Sequence, residues 1–433
     1  MMVQSLAQKL IARAAGLESV TVGDIVTCNV DLAMFHDSSG PRRLKPMLEE
    51  LNAAIWDKSK VVLVMDHYVP ERDDAARKIV KIARDWAREQ DLPHVYDSQG
   101  ICHVVVPQHG HIQPGMFCVG GDSHSPTGGA FGAYMFGIGS TEMLGVLVTG
   151  KIWLRVPQTI AMNWSGQLGP GVCAKDMMLA MIARFGMNGA NYQAVEFVGS
   201  AVKALSMQER MTLCNMSAEL GAQTGLVAAD STTRKWLDAL PKTVRDGPFD
   251  RLRTGSVEAY SDLASDPDSF DIEHHFDAST LSPQLAAPHS PAHGVPIIDH
   301  STTKIDVAYI GACTGAKLDD LRFAARVLHG KKIASSVQLL VAPASLQDLA
   351  EARAEGTLQS LLDAGATLLP SACGACAGYG SHFADGQTVI STTARNFKGR
   401  MGPASTQVYL ASSYTVAASA LRGCITDPRE VLQ

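Results

Sequence analysis

Short apolar runs along this chain end repeatedly in polar or glycine-rich turns. Val61-Val-Leu-Val-Met65 stops at Asp66-His67, and Met116-Phe-Cys-Val119 stops at Gly120-Gly-Asp-Ser-His124. Lys304-Ile-Asp-Val-Ala-Tyr-Ile310 stops at Gly311-Ala-Cys313. Runs of this length, rich in β-branched residues, predict buried strands. His103-Val-Val-Val106, Val337-Gln-Leu-Leu-Val341, Ala366-Thr-Leu-Leu369 and Thr388-Val-Ile390 read the same way. Between strands, Asp73 to Gln90 repeats Ala, Ile, Val and Trp at spacings of three and four, which predicts an amphipathic helix. Met207-Gln-Glu-Arg-Met-Thr-Leu213 predicts another. This alternation implies an α/β fold with largely parallel sheets. Such sheets bind ligands just beyond the carboxyl ends of their strands, where the polar turns fall.

The pattern changes twice. A second region opens near Pro157, and from Ala229 to Ser301 the chain is rich in Ser, Asp, Pro and His. Pro288-His-Ser-Pro291 gives that stretch the character of a long surface crossing. We expect three units, at 1–157, 158–300 and 301–433, with the two outer ones alike in style. Ala130 to Leu154 is the most apolar long window, but five glycines, Glu142 and Lys151 mark it as packed helix and turn, not a membrane span.

Composition narrows the class. Hydrophobic residues make up 46% and charged residues 18% of 433, which fits a globular protein with ample core. The formal charge of −6, without a long basic run, argues against binding nucleic acid through a broad basic face. Nine irregularly spaced cysteines are not a disulfide framework and point to reduced thiols. The first ten residues lack the apolar core and cleavage site of a signal peptide, so a cytoplasmic location is expected.

Three cysteines carry the chemistry: Cys313 in Gly311-Ala-Cys-Thr-Gly315, and the pair in Cys373-Gly-Ala-Cys376. Spacing alone leaves three alternatives. They are buried cysteines acting as small hydrophobes, part of a zinc site short of its fourth ligand, or an iron–sulfur site with one iron open to substrate. Histidines beside carboxylates suit proton transfer, and Asp66-His67, His103 and Asp122-Ser123-His124 all lie near predicted strand ends. Asn215 and Glu219 are four apart and would share a helix face. Arg395 and Arg400, just past a predicted strand, suit the paired carboxylates of a di- or tricarboxylic acid. Gly120 to Gly129 lacks the Gly-Lys-Ser/Thr ending of a phosphate loop, which excludes a nucleotide there.

Taken in order, these segments resemble the large subunit of the aconitase and isopropylmalate isomerase superfamily. The likeness is collinear from about Val30 onward. It rests on Asp66-His67, Gly121-Asp-Ser-His124, Cys214-Asn-Met-Ser-Ala-Glu219, Pro288-His-Ser-Pro291, Cys313-Thr, Cys373-x-x-Cys376 and Arg395-Asn-Phe-Lys-Gly-Arg400. The resemblance implies an aconitase-like three-domain core lacking the C-terminal swivel domain. It also implies a hydro-lyase whose [4Fe–4S] cluster, with one labile iron, is held by Cys313, Cys373 and Cys376. His67, oriented by Asp66, would protonate the leaving hydroxyl. His103 would pair with Asp122, and His124 with Glu219. His36, Asp37, Ser123, Asn215, Arg395 and Arg400 would bind substrate.

The substrate expected from that likeness is a malate-type hydroxy acid, 3-isopropylmalate or another alkylmalate first, completed by a small swivel-domain subunit. The same likeness admits a cluster-switched RNA-binding iron sensor, against which the net charge argues. Two positions depart from the family pattern. Gly315 and Ala394 stand where the family usually carries asparagine.

Overall fold

In a computed structural model of the chain, residues 2–240, 263–379 and 383–432 are described. The part of the polar crossing at 241–262 lies outside them. The first sheet has five parallel strands in the order His94–Asp97, Val61–Met65, Leu32–His36, Phe117–Gly120 and Tyr134–Gly137. The second has four parallel strands, Thr224–Leu226, Ala194–Val198, Thr159–Ser165 and Ile272–Asp277. The third has seven. Gln407–Ala411, Thr388–Ser391, Val307–Ile310, Gln338–Val341 and Thr367–Leu368 run parallel. Leu285–Ala286 and Gly294–Val295 add an antiparallel edge. These two strands flank Pro288-His-Ser-Pro291, so that motif is the loop of a hairpin on the third sheet.

The helix expected from Asp73 forms over Asp74–Glu89. Asp73 caps it by accepting the Ala76 amide at 2.7 Å. Its apolar stripe, Ala76, Val80, Ala83, Trp86 and Ala87, is buried, with Trp86 packed against Phe35 of the central strand. All five residues of Val61–Met65 are buried, as a strand covered on both faces by helices requires. Among the described residues no helix is long and apolar enough to cross a membrane.

Four local expectations fail. Cys102–Gln108 is a helix, although its three consecutive valines read as a strand. The Asp66 carboxylate accepts the Cys102 amide at 2.7 Å and so caps this helix, and all seven residues are buried. A run of three apolar residues carries no period of its own, and tertiary contacts decide it. Within Ala130–Leu154, Tyr134–Gly137 and Lys151–Arg155 are strands, the latter pairing with Ile25–Asn29 in a two-stranded ribbon. The polar crossing contains the strand Ile272–Asp277, which pairs with Thr159–Ser165. The helix from Met207 stops at Met216, so Glu219 lies on the turn beyond it and not on the face of Asn215.

The carboxyl ends of the first and third sheets meet. An isolated bridge joins Gly100 to Ser345, and the Ile101 amide donates to the Ala344 carbonyl at 2.8 Å. Gly100 has φ +128°, and a Cβ there would stand 2.5 Å from the Ser345 Cα, so only glycine permits this approach.

Candidate active site

Each polar turn seen in the sequence delivers its side chains to this junction. Leu32–His36 places His36 and Asp37, Val61–Met65 places Asp66 and His67, and Phe117–Gly120 is followed by Asp122, Ser123 and His124. Asp37 is fully buried and holds the first two turns together. It accepts the amides of His67 at 3.1 Å and Tyr68 at 2.8 Å. The rings of His36 and His67 stack with centroids 3.8 Å apart.

Three acid–imidazole pairs follow. His67 Nδ1 lies 2.7 Å from Asp66 Oδ1, His103 Nε2 lies 2.7 Å from Asp122 Oδ1, and His124 Nε2 lies 2.9 Å from Glu219 Oε1. His36 Nε2 stands 3.6 Å from the other oxygen of Asp122. Arg395 Nε donates to Glu219 Oε1 at 2.6 Å, which makes Glu219 the common anion of His124 and Arg395.

Burial opposes charge on His67, Asp66, Asp122 and Glu219, yet their partners overcome it. Burial alone would push the His67 imidazole down, but the Asp66 carboxylate beside it raises it to about 9. Burial would raise Asp66, but His67, His36 and the Cys102 amide hold it at about 2. Asp122 is held well below the usual carboxylate range against its burial by His103, His36 and His124. Glu219 is lowered in the same way by His124 and Arg395. Asp37 moves the other way, raised by burial and by the Asp66 charge.

The third sheet brings the thiols. Cys313 follows Val307–Ile310, and Cys373 and Cys376 lie at the short helical turn after Thr367–Leu368. The Cys373 amide donates to the Asp66 carbonyl at 2.9 Å, and its Sγ lies 3.8 Å from Asp66 Oδ2. Asn215 Nδ2 donates to Cys313 Sγ at 3.2 Å and to Thr127 Oγ1 at 2.8 Å. Burial first, and then Cys376, push the Cys313 thiol up to about 12. Burial raises Cys373 well above the ordinary thiol range, with Asp66, Cys376 and Cys313 adding to it. Cys376 acts on both Cys313 and Cys373, and Cys313 acts on Cys373, so the three thiols share one locus.

Beside this locus is a cavity of about 430 Å³ lined by Asp122, Ser123, Arg395, Ile138, Ala218 and Tyr192, among others. Ser123 is exposed to it, and Arg395 keeps 18% of its side chain open. Arg400 lies apart from Glu219. It is half-buried beside the Cys373–Gly378 turn, and its Nε has no partner among the described residues.

Residues 8–423 match the Aconitase family (aconitate hydratase). The chain belongs to the aconitase family. With membership comes the enzyme class, an aconitase-type hydro-lyase. Over 99% of this chain and 100% of the relative, it is 41% identical to "3-isopropylmalate dehydratase large subunit 1" of Methanopyrus kandleri. It is 42% identical to "Probable methanogen homoaconitase large subunit" of Methanosarcina mazei, over 93% of this chain and 99% of that one. A solved structure of Thermococcus kodakaraensis aconitase X in its holo form aligns at TM-score 0.49 and 13% identity, over 86% of this chain and 84% of that chain.

Membership of the aconitase family implies a [4Fe–4S] cluster, and the residues present fit one. Three thiol sulfurs are a soft donor set suited to iron–sulfur ligation. Two buried acceptors beside them, Asn215 Oδ1 and Glu219 Oε2, have no partner among the described residues and are free to meet a bound group.

Two supporting residues escape a reading of the sequence. Lys175 and Lys317 are 2% and 1% exposed. Lys317 Nζ donates to the Cys313 carbonyl at 3.0 Å and to Asp320 at 2.8 Å, which fixes the Cys313 turn. Lys175 reaches that turn from the middle unit. The available signal is a lysine amid apolar residues in Gly171-Val-Cys-Ala-Lys-Asp-Met-Met178, where a solvent-facing stripe would be spaced by three and four.

Proposed function

We propose that this chain is the large subunit of an iron–sulfur hydro-lyase that dehydrates or isomerises a malate-type hydroxy acid. An alkylmalate such as 3-isopropylmalate is the first choice. The observation that supports it most is the junction itself, where the turn bearing Cys373 is hydrogen-bonded to the turn bearing the Asp66–His67 pair. When bound by Cys313, Cys373 and Cys376, the cluster supplies a Lewis-acidic iron with no protein ligand, at which a hydroxyl and a carboxylate can be polarised.

His67 is protonated at neutral pH and gives its proton to the departing hydroxyl. Asp66 fixes its tautomer and stabilises its charge. Asp122 holds His103 and Glu219 holds His124, so both imidazoles stand ready to donate to substrate oxygens. Arg395 binds a substrate carboxylate through the nitrogens not committed to Glu219. Asp37 carries no step and keeps the His36 and His67 turns in register. Arg400, beside the Cys373–Gly378 turn with its Nε unpartnered among the described residues, is the second candidate for a substrate carboxylate. The walls formed by Ile138, Ala218 and Ala222 in the cavity beside Asp122 and Ser123 suit an alkyl substituent better than a third carboxylate.

Both relatives described above are named large subunits. We extend that to this chain, with a small swivel-domain subunit covering the cavity and supplying the remaining groups. The complex, reconstituted anaerobically, should turn over one of 3-isopropylmalate, citramalate, dimethylmalate or homocitrate, followed by absorbance of the unsaturated product. Turnover on none of them, with the cluster intact, would remove the reading.

A further inference from the structure

Lys175 is a buried cation with no anion in contact. It stands in the first turn of the helix Ala174–Phe185 and is 2% exposed. Its ammonium donates to three neutral acceptors, the Thr392 carbonyl at 2.7 Å, the Thr393 carbonyl at 2.7 Å and Thr314 Oγ1 at 3.3 Å. The other buried cations are built differently. Lys317 lies 2.8 Å from an Asp320 oxygen, and Arg210 lies 2.7 Å from an Asp230 oxygen. Among the described residues no carboxylate oxygen stands within 4.0 Å of the Lys175 ammonium. A buried charge left in this way is costly unless something of opposite sign shares its surroundings.

The acceptors of Lys175 show where that partner belongs. Thr314 follows Cys313 directly, and Thr392 and Thr393 lead into Arg395. The charges felt at Lys175 are, largest first, those of Asp320, Glu219 and Cys376, with Lys317 opposing them. Without a bound anion, burial pushes the ammonium down to about 8. Three thiolates outweigh a cluster core of charge 2+, so the ligated cluster is a net anion.

We propose that Lys175 is the resident counter-cation of the thiolate-bound cluster, a positioning residue that raises the cluster's reduction potential. The proposal rests on the cluster reading of Cys313, Cys373 and Cys376. A cation facing an anionic cluster favours the state with one more electron, so neutralising it makes reduction harder. Its hydrogen bonds also pin the ends of the two turns that carry Cys313 and Arg395, and the test must separate the two effects.

The test uses the anaerobically reconstituted complex with the small subunit, as wild type and as Lys175→Arg, Lys175→Gln and Lys175→Met. The one-electron midpoint potential of the cluster is read by EPR-monitored titration. Charge compensation requires both neutral variants to shift to more negative potential, with Lys175→Arg close to wild type. Glutamine can still donate to the threonine carbonyls, so a purely structural lysine would leave Lys175→Gln at the wild-type potential, and that result overturns the proposal. Failure of both neutral variants to fold even as cluster-free chains also overturns it, because the cation would then serve the fold. A wild-type complex holding zinc, or no brown absorbance, instead removes the cluster reading itself and is recognised by metal analysis.

Discussion

The Asp66 carbonyl accepts the Cys373 amide at 2.9 Å, although 307 positions separate the two residues. One residue therefore serves two sheets. The Asp66 side chain orients His67 and caps the helix at Cys102, and its backbone holds the cysteine turn. His67 and the cysteine turn are fixed relative to each other by a single aspartate.

Asp66→Asn tests that link. Without the Asp66 carboxylate only the smaller pulls of Asp122 and Asp37 oppose the burial of His67, and its pKa should fall from about 9 toward the ordinary 6.5. Loss of the protonated donor at neutral pH should lower kcat by roughly 10²-fold or more. NMR titration of the His67 ring checks the first outcome and steady-state kinetics the second. An unmoved His67 would remove the electrostatic account.

The same pair sets a pH window for stability. His67 is raised to about 9 from 6.5, so its contribution is complete below pH 6.5 and is lost as pH rises through about 9. Asp66 is lowered to about 2 from 3.8, so its contribution is complete above pH 3.8 and is lost as pH falls toward 2. Cluster-free chain should lose melting temperature in alkali above pH 6.5, and Asp66→Asn should flatten that slope. An equal slope in both proteins would place the loss elsewhere.

Much of the site is legible in the amino-acid sequence. Val61–Met65 and Val307–Ile310 announce themselves because each is a pure apolar run cut off by Asp-His or Gly-Ala-Cys, and the cut-off residues form the site. The helix at Cys102–Gln108 is not legible, because its cap comes from Asp66 in another turn and its valines carry no period. The position of Glu219 is hidden for a related reason. Its partner residues, His124 and Arg395, lie on other units, and they draw it beyond the helix end at Met216. Lys175 shows in the sequence only as a lysine amid apolar residues, and it gains meaning once its acceptors, three threonines over a hundred positions away, are known.

Glu219 serves His124 and Arg395 at once, at 2.9 and 2.6 Å. Glu219→Gln keeps the shape and removes the charge that aligns both. Losing one charge-assisted hydrogen bond is worth ~1.5–3 kcal/mol, so kcat/KM should fall by about 10- to 100-fold. KM should carry much of the change, because Arg395 loses its fixed orientation toward the substrate carboxylate. A drop in kcat alone would assign Glu219 to the chemical step through His124.

Gly315 packs where a side chain has no room. A Cβ at Gly315 would overlap the Thr392 side chain, whose Oγ1 bonds both the amide and the carbonyl of Gly311. Gly315→Ala should therefore destabilise the cluster-free chain by ~1–3 kcal/mol through overpacking, read from denaturant midpoints. Combining it with Thr392→Gly, which removes the colliding Cβ and Oγ1, should cost less than the sum of the two single changes. Additive losses would show that the two positions do not compete for the same space.

The last expectation concerns the second subunit. The Asp122 side chain keeps 19% of its surface exposed and Arg395 18%, and Ser123 is exposed beside them. Water at these groups weakens every charge interaction on which His103, His124 and Arg395 depend, and a closing partner would restore it. The cavity beside them, about 430 Å³, is lined by these groups together with Ile138, Ala218 and Ala222. The chain alone, with its cluster reconstituted, should show less than a hundredth of the activity of the complex, and adding the small subunit should recover it in proportion to the complex formed. Substrate should protect the cluster of the complex from air far better than that of the lone chain, because only the covered site holds it tightly. Full turnover by this chain in a preparation free of any second protein would overturn the expectation, since a base among its own residues would then complete the reaction.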